Sequence, residues 1–287
     1  MKNVFDCIII GGGPAGCMAG IHLQRSGFNI VLIEKERIGG SLHDANIIEN
    51  YPGFPAGIKG LTLAKKLEEH LFSIGVKVIF DEVLKIKFRG KFFDLVCKKG
   101  NYRARSLIVA IGLVNREKWK NKRIKNIYTR ARDLKSWRNK VIAILGLGDT
   151  AFDASLRFSS ASKIYLIGRK IKAIKALVEK VKEMENVKIL NKDVLGISES
   201  KNKIIIRLSS KKKIEVDKVL ICYGKKRNNA IFPENIKSKL RKKLIEIYPG
   251  LFIAGDFAMP EKRYISIAFA TGIMAAEGAI KYLRGEK

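Results

Sequence analysis

The chain has 287 residues, 57 of them Lys or Arg and 27 Asp or Glu, for a formal net charge of +30 at pH 7. A 47% hydrophobic composition excludes a disordered chain and supplies enough apolar material for two packed domains. Its apolar runs are short, that at 265–276 being too brief to span a bilayer, and the first residues enter a strand with no room for a signal peptide. A cytoplasmic protein with no membrane span is expected.

The predicted elements open with an apolar strand at 4–10 and the turn Gly11-Gly12-Gly13-Pro14-Ala15-Gly16. A helix then runs to 26–27, and a second strand at 30–33 stops at Glu34. Strand, glycine turn, helix, strand and acid together form a dinucleotide-binding fingerprint. Gly11 permits the turn, Gly13 lets the backbone approach a pyrophosphate, and Gly16 lets helix pack on strand. The N–H groups and dipole of the helix start hold the diphosphate. Glu34 is placed to accept hydrogen bonds from ribose hydroxyls.

A Gly- and Pro-containing ordered loop occupies 39–53, followed by a helix at 61–75. Strands are expected at 76–80, 82–88, 92–97 and 102–105, and a buried strand at 106–112. Residues 113–139 are basic and poorly patterned. A second fingerprint begins with the strand at 141–145, the turn Gly146-Leu147-Gly148-Asp149-Thr150-Ala151, a helix at 152–160 and a strand at 163–167. Here Gly168-Arg169-Lys170 replaces the acid. Cations cannot accept from a free 2′-hydroxyl but suit a 2′-phosphate, which favours NADPH over NADH.

A helix at 172–184 and strands at 187–190, 203–208 and 216–222 complete this unit, and a strand at 251–256 and a helix at 266–283 close the chain. The second unit is therefore inserted in the first. The expected fold is α/β: two Rossmann-like (three-layer ββα) dinucleotide-binding domains. Residues 1–115 and 246–287 form a discontinuous FAD domain, and residues 116–245 an NAD(P)H domain. Two fingerprints that differ at the acid imply two dinucleotides, FAD held permanently and a nicotinamide that visits it.

Cys7, Cys17, Cys97 and Cys222 are scattered, with no Cys-x-x-Cys and no His at ligand spacing, so reduced buried thiols and no metal site are expected. The positive charge is uneven. Residues 116–245 hold 36 basic and 12 acidic side chains, with dense runs at 116–140 and 225–243. Two readings stand: a solvated lysine-rich surface, or a field that steers an acidic partner. Nucleic acid has no recognition motif in its favour.

On residues 11–16, Glu34, 39–42, 49–53, 146–151, Gly255-Asp256 and Arg263, the chain resembles the low-molecular-weight thioredoxin reductases along nearly its whole length. The resemblance implies a homodimer with FAD and NADPH sites. Gly39, Gly40 and Asn50 would lie against the flavin and its ribityl chain. Asp256 would hydrogen-bond the ribityl or flavin end, with Arg263, Tyr264 and Ile265 at the ring. Gly11, Gly13, Pro14, Ala15, Gly16, Glu34, Lys35, Ser41, Leu42, Val83, Ala110, Gly112 and Gly255 complete the expected FAD set. Gly146, Gly148, Asp149, Thr150, Ala151, Arg169 and Lys170 form the NADPH set. Gly168 stands where the family has His, and Ile111 where it has Thr.

One departure bears on function. Reductases of this family carry Cys-x-x-Cys before the second fingerprint, and that site is here Thr129-Arg130-Ala131-Arg132, followed by the expected Asp133. Neither Thr129 nor Arg132 can form a disulfide, so dithiol exchange there is chemically impossible. The leading expectation is an oxidoreductase passing electrons from NAD(P)H through FAD to a small acceptor such as ferredoxin, a quinone or oxygen. Ferredoxin–NADP(+) reductases are dithiol-free proteins of this architecture, but usually carry a flavin-covering C-terminal extension that this sequence lacks. From a different class, a flavin-binding regulatory protein with lost activity is the alternative. His43 is either a proton or hydrogen-bond donor near the flavin or a solvated loop residue. Hinges are expected at 113–118 and 244–248.

Overall fold

Apolar runs without alternation leave a strand no solvent face, and such runs bury themselves in parallel sheets. In the computed structural model, which describes residues 4–120, 123–241 and 245–286, β1 (Val4–Ile10) and β2 (Ile30–Glu34) behave in this way. They pair in parallel with Ile10 opposite Ile33. Lys122, Lys242 and Lys243 of the basic runs, and Leu244 of an expected hinge, lie outside the described residues. Between the two strands runs α1 (Pro14–Arg25), which starts on Pro, where a missing N–H costs no helical bond.

Next come α2 (Gly60–Ser73), β3 (Val78–Phe80) and the antiparallel hairpin of β4 (Val83–Arg89) and β5 (Phe92–Cys97). β6 (Asn101–Val109) is one continuous strand rather than the two expected at 102–105 and 106–112. One edge takes β5 over its first half, with Phe93 opposite Ala104, while the other lies parallel to β1 from Arg103 to Val109, the last opposite Ile10. The surroundings change at Ser106, from partly exposed to buried on both faces, and the backbone does not.

The chain divides into two compact units: Met1–His43, Glu49–Val114 and Arg227–Lys287 in one, Asp44–Ile48 and Asn115–Lys226 in the other. In the second unit β7 (Ile127–Tyr128), β8 (Val141–Leu145), β9 (Lys163–Gly168) and β10 (Val187–Asn191) precede an antiparallel group, β11 (Val194–Ser200), β12 (Lys203–Leu208) and β13 (Lys213–Val216). With β14 (Lys218–Ile221) the first four form an all-parallel sheet ordered β7-β14-β8-β9-β10. One apolar cluster joins Ala143, Leu145 and Ile167 of this sheet to Ile204, Ile206 and Leu208. A second packs α3 (Asp149–Arg157) and α4 (Lys175–Lys182) against Ile142, Ile144 and Leu166. β11 escaped the sequence pattern because its apolar start is interrupted by Gly196 and its end is polar.

Back in the first unit, α5 (Glu234–Lys237) and β15 (Glu246–Tyr248) lead to β16 (Leu251–Ile253), and α6 (Ile265–Arg284) closes the chain. The long path of its sheet runs β15-β16-β6-β1-β2-β3. The expected domain boundary near 245 moves to 226. Ile231, Phe232, Ile236 and Leu240 are buried with Ile253 and Phe257, so hydrophobic burial places residues 227–240 in the first unit. The charge map changes accordingly: the second unit holds 30 basic and 12 acidic residues, a balance of +18 rather than +24.

Across β5 and β6, Arg103 donates from Nε and Nη2 to Asp94 Oδ1 and Oδ2 at 2.6 and 3.0 Å. This bond, more than the charges of Arg103 and Arg89, holds the Asp94 carboxyl below its usual pKa. A depressed carboxylate stabilises the fold at pH above the ordinary value near 4 and loses that contribution as pH falls. Because Arg103 is 40% exposed, solvent screening keeps the pair's contribution small. Denaturant melts should show Asp94→Asn less stable than the parent at pH 7, with the gap closing at pH 3; a gap that persists there contradicts the assignment.

Candidate functional site

Register, more than any single residue, assembles the site in the first unit. Ile10 lies opposite both Ile33 and Val109, and Val109 lies opposite Ile253. The residues that follow these strand ends, Gly11, Ala110 and the Ala254–Gly255 pair, therefore share one row with Glu34, at the carboxyl edge where open α/β sheets take their ligands. The glycine turn fits a dinucleotide on steric grounds. A Cβ on Gly16 would lie 1.8 Å from the Gly11 carbonyl oxygen, so only glycine lets α1 start this close to β1. A Cβ on Gly13 would meet nothing within 4 Å, leaving the backbone open to an incoming phosphate.

Glu34 is buried, its Oε2 accepting from the Gly12 N–H at 2.7 Å and its Oε1 from the Glu36 N–H at 2.8 Å. Two bonds use half the acceptor capacity of a carboxylate and fix its orientation, leaving lone pairs for a ribose. The loop carrying Gly39 folds onto this turn, its N–H donating to the Gly12 carbonyl at 2.7 Å. Leu42 is buried while Lys35, Ser41 and Asn50 are exposed. The His43 ring turns back on its own loop, half-buried, with Nε2 donating to the Ile38 carbonyl at 2.7 Å.

Val83 departs from expectation, since its side chain belongs to the apolar core with Ile86 and Leu95. Any role it has toward a ligand falls to its main chain. Gly255, at φ 66°, donates its N–H to the Thr271 hydroxyl of α6 at 2.9 Å, which ties the Gly255-Asp256 turn to that helix. Arg263 and Tyr264 are exposed just before α6, whose first residue is Ile265. Gly112 is at φ 61° with nothing within 4 Å of a built Cβ.

The second unit repeats the design with different contacts. A Cβ on Gly146 would come within 2.4 Å of the Cys222 carbonyl oxygen, and Gly148, like Gly13, has open space. Ala151 is fully buried under the turn, while Thr150 is exposed. Asp149 Oδ1 accepts from the Ile174 N–H at 2.9 Å, and the Leu147 carbonyl accepts from Lys172 at 2.7 Å. These bonds hold the loop bearing Arg169 and Lys170 beside the glycine turn. Gly168 has a packing cause: a Cβ there would lie 3.0 Å from Leu147 Cγ. Sequence reasoning overlooked Asp193, whose Oδ1 lies 3.3 Å from Arg169 Nε in an exposed ion pair.

In the segment 129–133, two arginines lie beside two carboxylates. Arg130 donates to Asp133 from Nε at 2.7 Å and from Nη2 at 3.3 Å. The Arg132 N–H donates to Asp44 Oδ1 at 3.1 Å, with Arg132 Nε 3.9 Å from the same oxygen. Asp44 comes from the segment Asp44–Ile48, expected in the FAD domain, and Asn46 of that segment donates its N–H to Asp153 Oδ2 at 2.8 Å. The four cysteines are all unpaired. Burial pushes the Cys7, Cys97 and Cys222 thiols up to about 12, and raises Cys17 in the same direction. Essentially no thiolate, the reactive form, is present at neutral pH. Among the described residues no cluster of His, Cys, Asp and Glu suits a metal ion, and no helix is long and apolar enough to cross a membrane.

Two glycine turns at the carboxyl edges of two parallel sheets define a protein built to hold two dinucleotides. The family model of the pyridine nucleotide-disulphide oxidoreductases matches residues 5–281, and the chain belongs to that family of enzymes. It is 31% identical to a thioredoxin reductase of Buchnera aphidicola from Schizaphis graminum, with 99% of this chain and 98% of the relative covered. It is 30% identical to that of Buchnera aphidicola from Acyrthosiphon pisum, with 96% of each covered. The fold is also that of Lactococcus lactis thioredoxin reductase, with a TM-score of 0.87 at 22% identity over 98% of this chain and 99% of the other. It is thus a thioredoxin reductase-like flavoprotein of a family that depends on FAD and NAD(P)H.

Two measurements check these assignments. Gly16→Ala should purify with little flavin, because the new methyl group must displace the Gly11 carbonyl; full flavin content would contradict the steric argument. Thiol titration of the native protein at pH 8 should find fewer than one reactive group and four after denaturation. A fast-reacting thiol in the folded protein would contradict the burial described here.

Proposed function

We propose that this enzyme carries electrons from NADPH through FAD to an acceptor that is not a disulfide. The observation that supports this most directly is the Arg130–Asp133 and Arg132–Asp44 pairing at the position where relatives have a dithiol, with three cysteines buried elsewhere and Cys222 half-buried. Bound FAD would supply the hydride-accepting and electron-donating chemistry. The chain's own part is to cradle its diphosphate at residues 11–16, orient its ribose through Glu34 and hold its flavin end at the Gly255-Asp256 turn. Gly146, Gly148, Asp149, Thr150 and Ala151 would cradle the diphosphate of the nicotinamide nucleotide.

Preference for NADPH rests on Arg169 and Lys170. The Arg169–Asp193 pair is exposed on both sides, so it is screened and weak, and a 2′-phosphate dianion can displace it. Replacing Arg169 and Lys170 with Ala should remove the preference, whereas Asp193→Asn should tighten NADPH binding. Preference unchanged in the double variant would contradict this reading. The acceptor we favour is an acidic electron-transfer protein such as ferredoxin, supported by the +18 balance of the second unit, ahead of a quinone or oxygen. A homodimer is inferred as well, and Ile273 and Met274, 36% and 49% exposed on α6, are available to an interface. A sedimentation mass of one 32.2 kDa chain would exclude it.

Anaerobic stopped-flow tests the proposal. NADPH should bleach the flavin faster than NADH does. Reoxidation should follow on adding ferredoxin or quinone, more slowly at high salt if charge steers the partner. Rapid reoxidation by oxidised thioredoxin would refute the direct route.

A further inference from the structure

Arg227 lies in a lysine-rich run whose cations would ordinarily be solvated, yet its guanidinium is partly buried and spent on the backbone. Nε donates to the Phe257 carbonyl at 2.7 Å, Nη2 to the Ala258 carbonyl at 2.7 Å and Nη1 to the Leu240 carbonyl at 3.2 Å. Its central carbon also sits 5.7 Å from the centroid of the Phe257 ring, itself fully buried and stacked on Phe232 at 5.6 Å. The two closest acceptors belong to the short turn that begins at Gly255. Inside that turn, Ala258 and Met259 donate to the Gly255 carbonyl at 2.9 and 3.0 Å, while the Gly255 N–H is held by Thr271. The turn is therefore clamped at both ends, by Thr271 on one side and Arg227 on the other. Asp256 lies between the clamps.

We propose that Arg227 is a positioning residue for the cofactor: by binding the Phe257 and Ala258 carbonyls it fixes the turn that presents Asp256 to the flavin end of FAD. This rests on the reading that FAD occupies the strand-end row of the first unit. The fork geometry matters. A guanidinium reaches two adjacent carbonyls with parallel N–H groups, while an ammonium is a point donor that serves one of them well. Loss of the side chain leaves carbonyl oxygens without their donor, which frees the turn to rearrange. Arg227 is also the first residue of the returning segment of the first unit. The same side chain therefore ties the start of that segment to the cofactor turn.

The test uses the full chain, stripped of flavin and titrated with FAD, comparing wild type with Arg227→Met, Arg227→Lys, Asp256→Ala and the Arg227→Met/Asp256→Ala pair. FAD affinity should fall at least tenfold in Arg227→Met and less in Arg227→Lys. The double variant should bind no more weakly than Asp256→Ala alone, because both changes remove the same interaction. The midpoint potential of the bound flavin should shift in Arg227→Met while NADPH affinity, read on the flavin-free protein, stays at the wild-type value. If Arg227→Met fails to fold, Arg227→Lys carries the same comparison in affinity and potential. Wild-type affinity and potential in both Arg227 variants, or losses that multiply in the double variant, overturn the proposal. A wild-type chain that takes up no FAD overturns the cofactor reading and this inference together, whereas normal wild-type uptake with unaltered variants overturns this inference alone.

Discussion

The closeness of a helix start to the end of the strand before it constrains everything else in the first unit. With no side chain on Gly16, α1 begins against the Gly11 carbonyl, and its unsatisfied N–H groups face the carboxyl edge of the sheet. Because α1 lies so low, α6 can also pack on it backbone to backbone: a Cβ on Gly272 would come within 2.4 Å of the Ala15 carbonyl oxygen. That contact brings Thr271 to the Gly255 N–H, so the same missing side chains that admit a phosphate also locate the turn bearing Asp256. The second unit meets the constraint with different residues, pressing Gly146 against the Cys222 backbone and placing Ala151 under the turn.

The segment 129–133 carries no cysteine, and its two arginines lie beside two carboxylates. Residues 131–133 form a short turn in which the Arg130 guanidinium binds Asp133, while Asp44 accepts from the Arg132 backbone N–H with Arg132 Nε 3.9 Å away. A partly buried guanidinium beside its carboxylate avoids the desolvation cost of an isolated charge. The arrangement also recruits Asp44–Ile48 to the second unit, a placement that follows from Asp44 and Asn46 each finding a hydrogen-bond partner there. Family membership thus fixes the cofactors and the architecture, while the route by which electrons leave is a property of this chain's own residues.

Much of the fold was legible because it is written locally. Apolar runs bounded by glycine located the parallel strands, and spacing alone located the glycine turn between strand and helix in each unit. What could not be read depended on partners distant in sequence. The segment 227–240 looks like basic surface, and only the burial of Ile231, Phe232, Ile236 and Leu240 shows that it belongs to the first core. Asp193, Asp44 and Arg227 carry no motif, and each acquires its role from a neighbour that the chain reaches by folding back. The antiparallel strand β11 was hidden by Gly196, a residue that disfavours strands and sits at a register shift against β12.

The central claim is that bound flavin is the only two-electron store on the chain. An anaerobic reductive titration counts that store directly. The flavin should be fully reduced by one equivalent of NADPH or dithionite per bound FAD, with no new thiols detected on quenching into denaturant under acid. Uptake of two equivalents per FAD, with a pair of thiols appearing on reduction, would contradict the account.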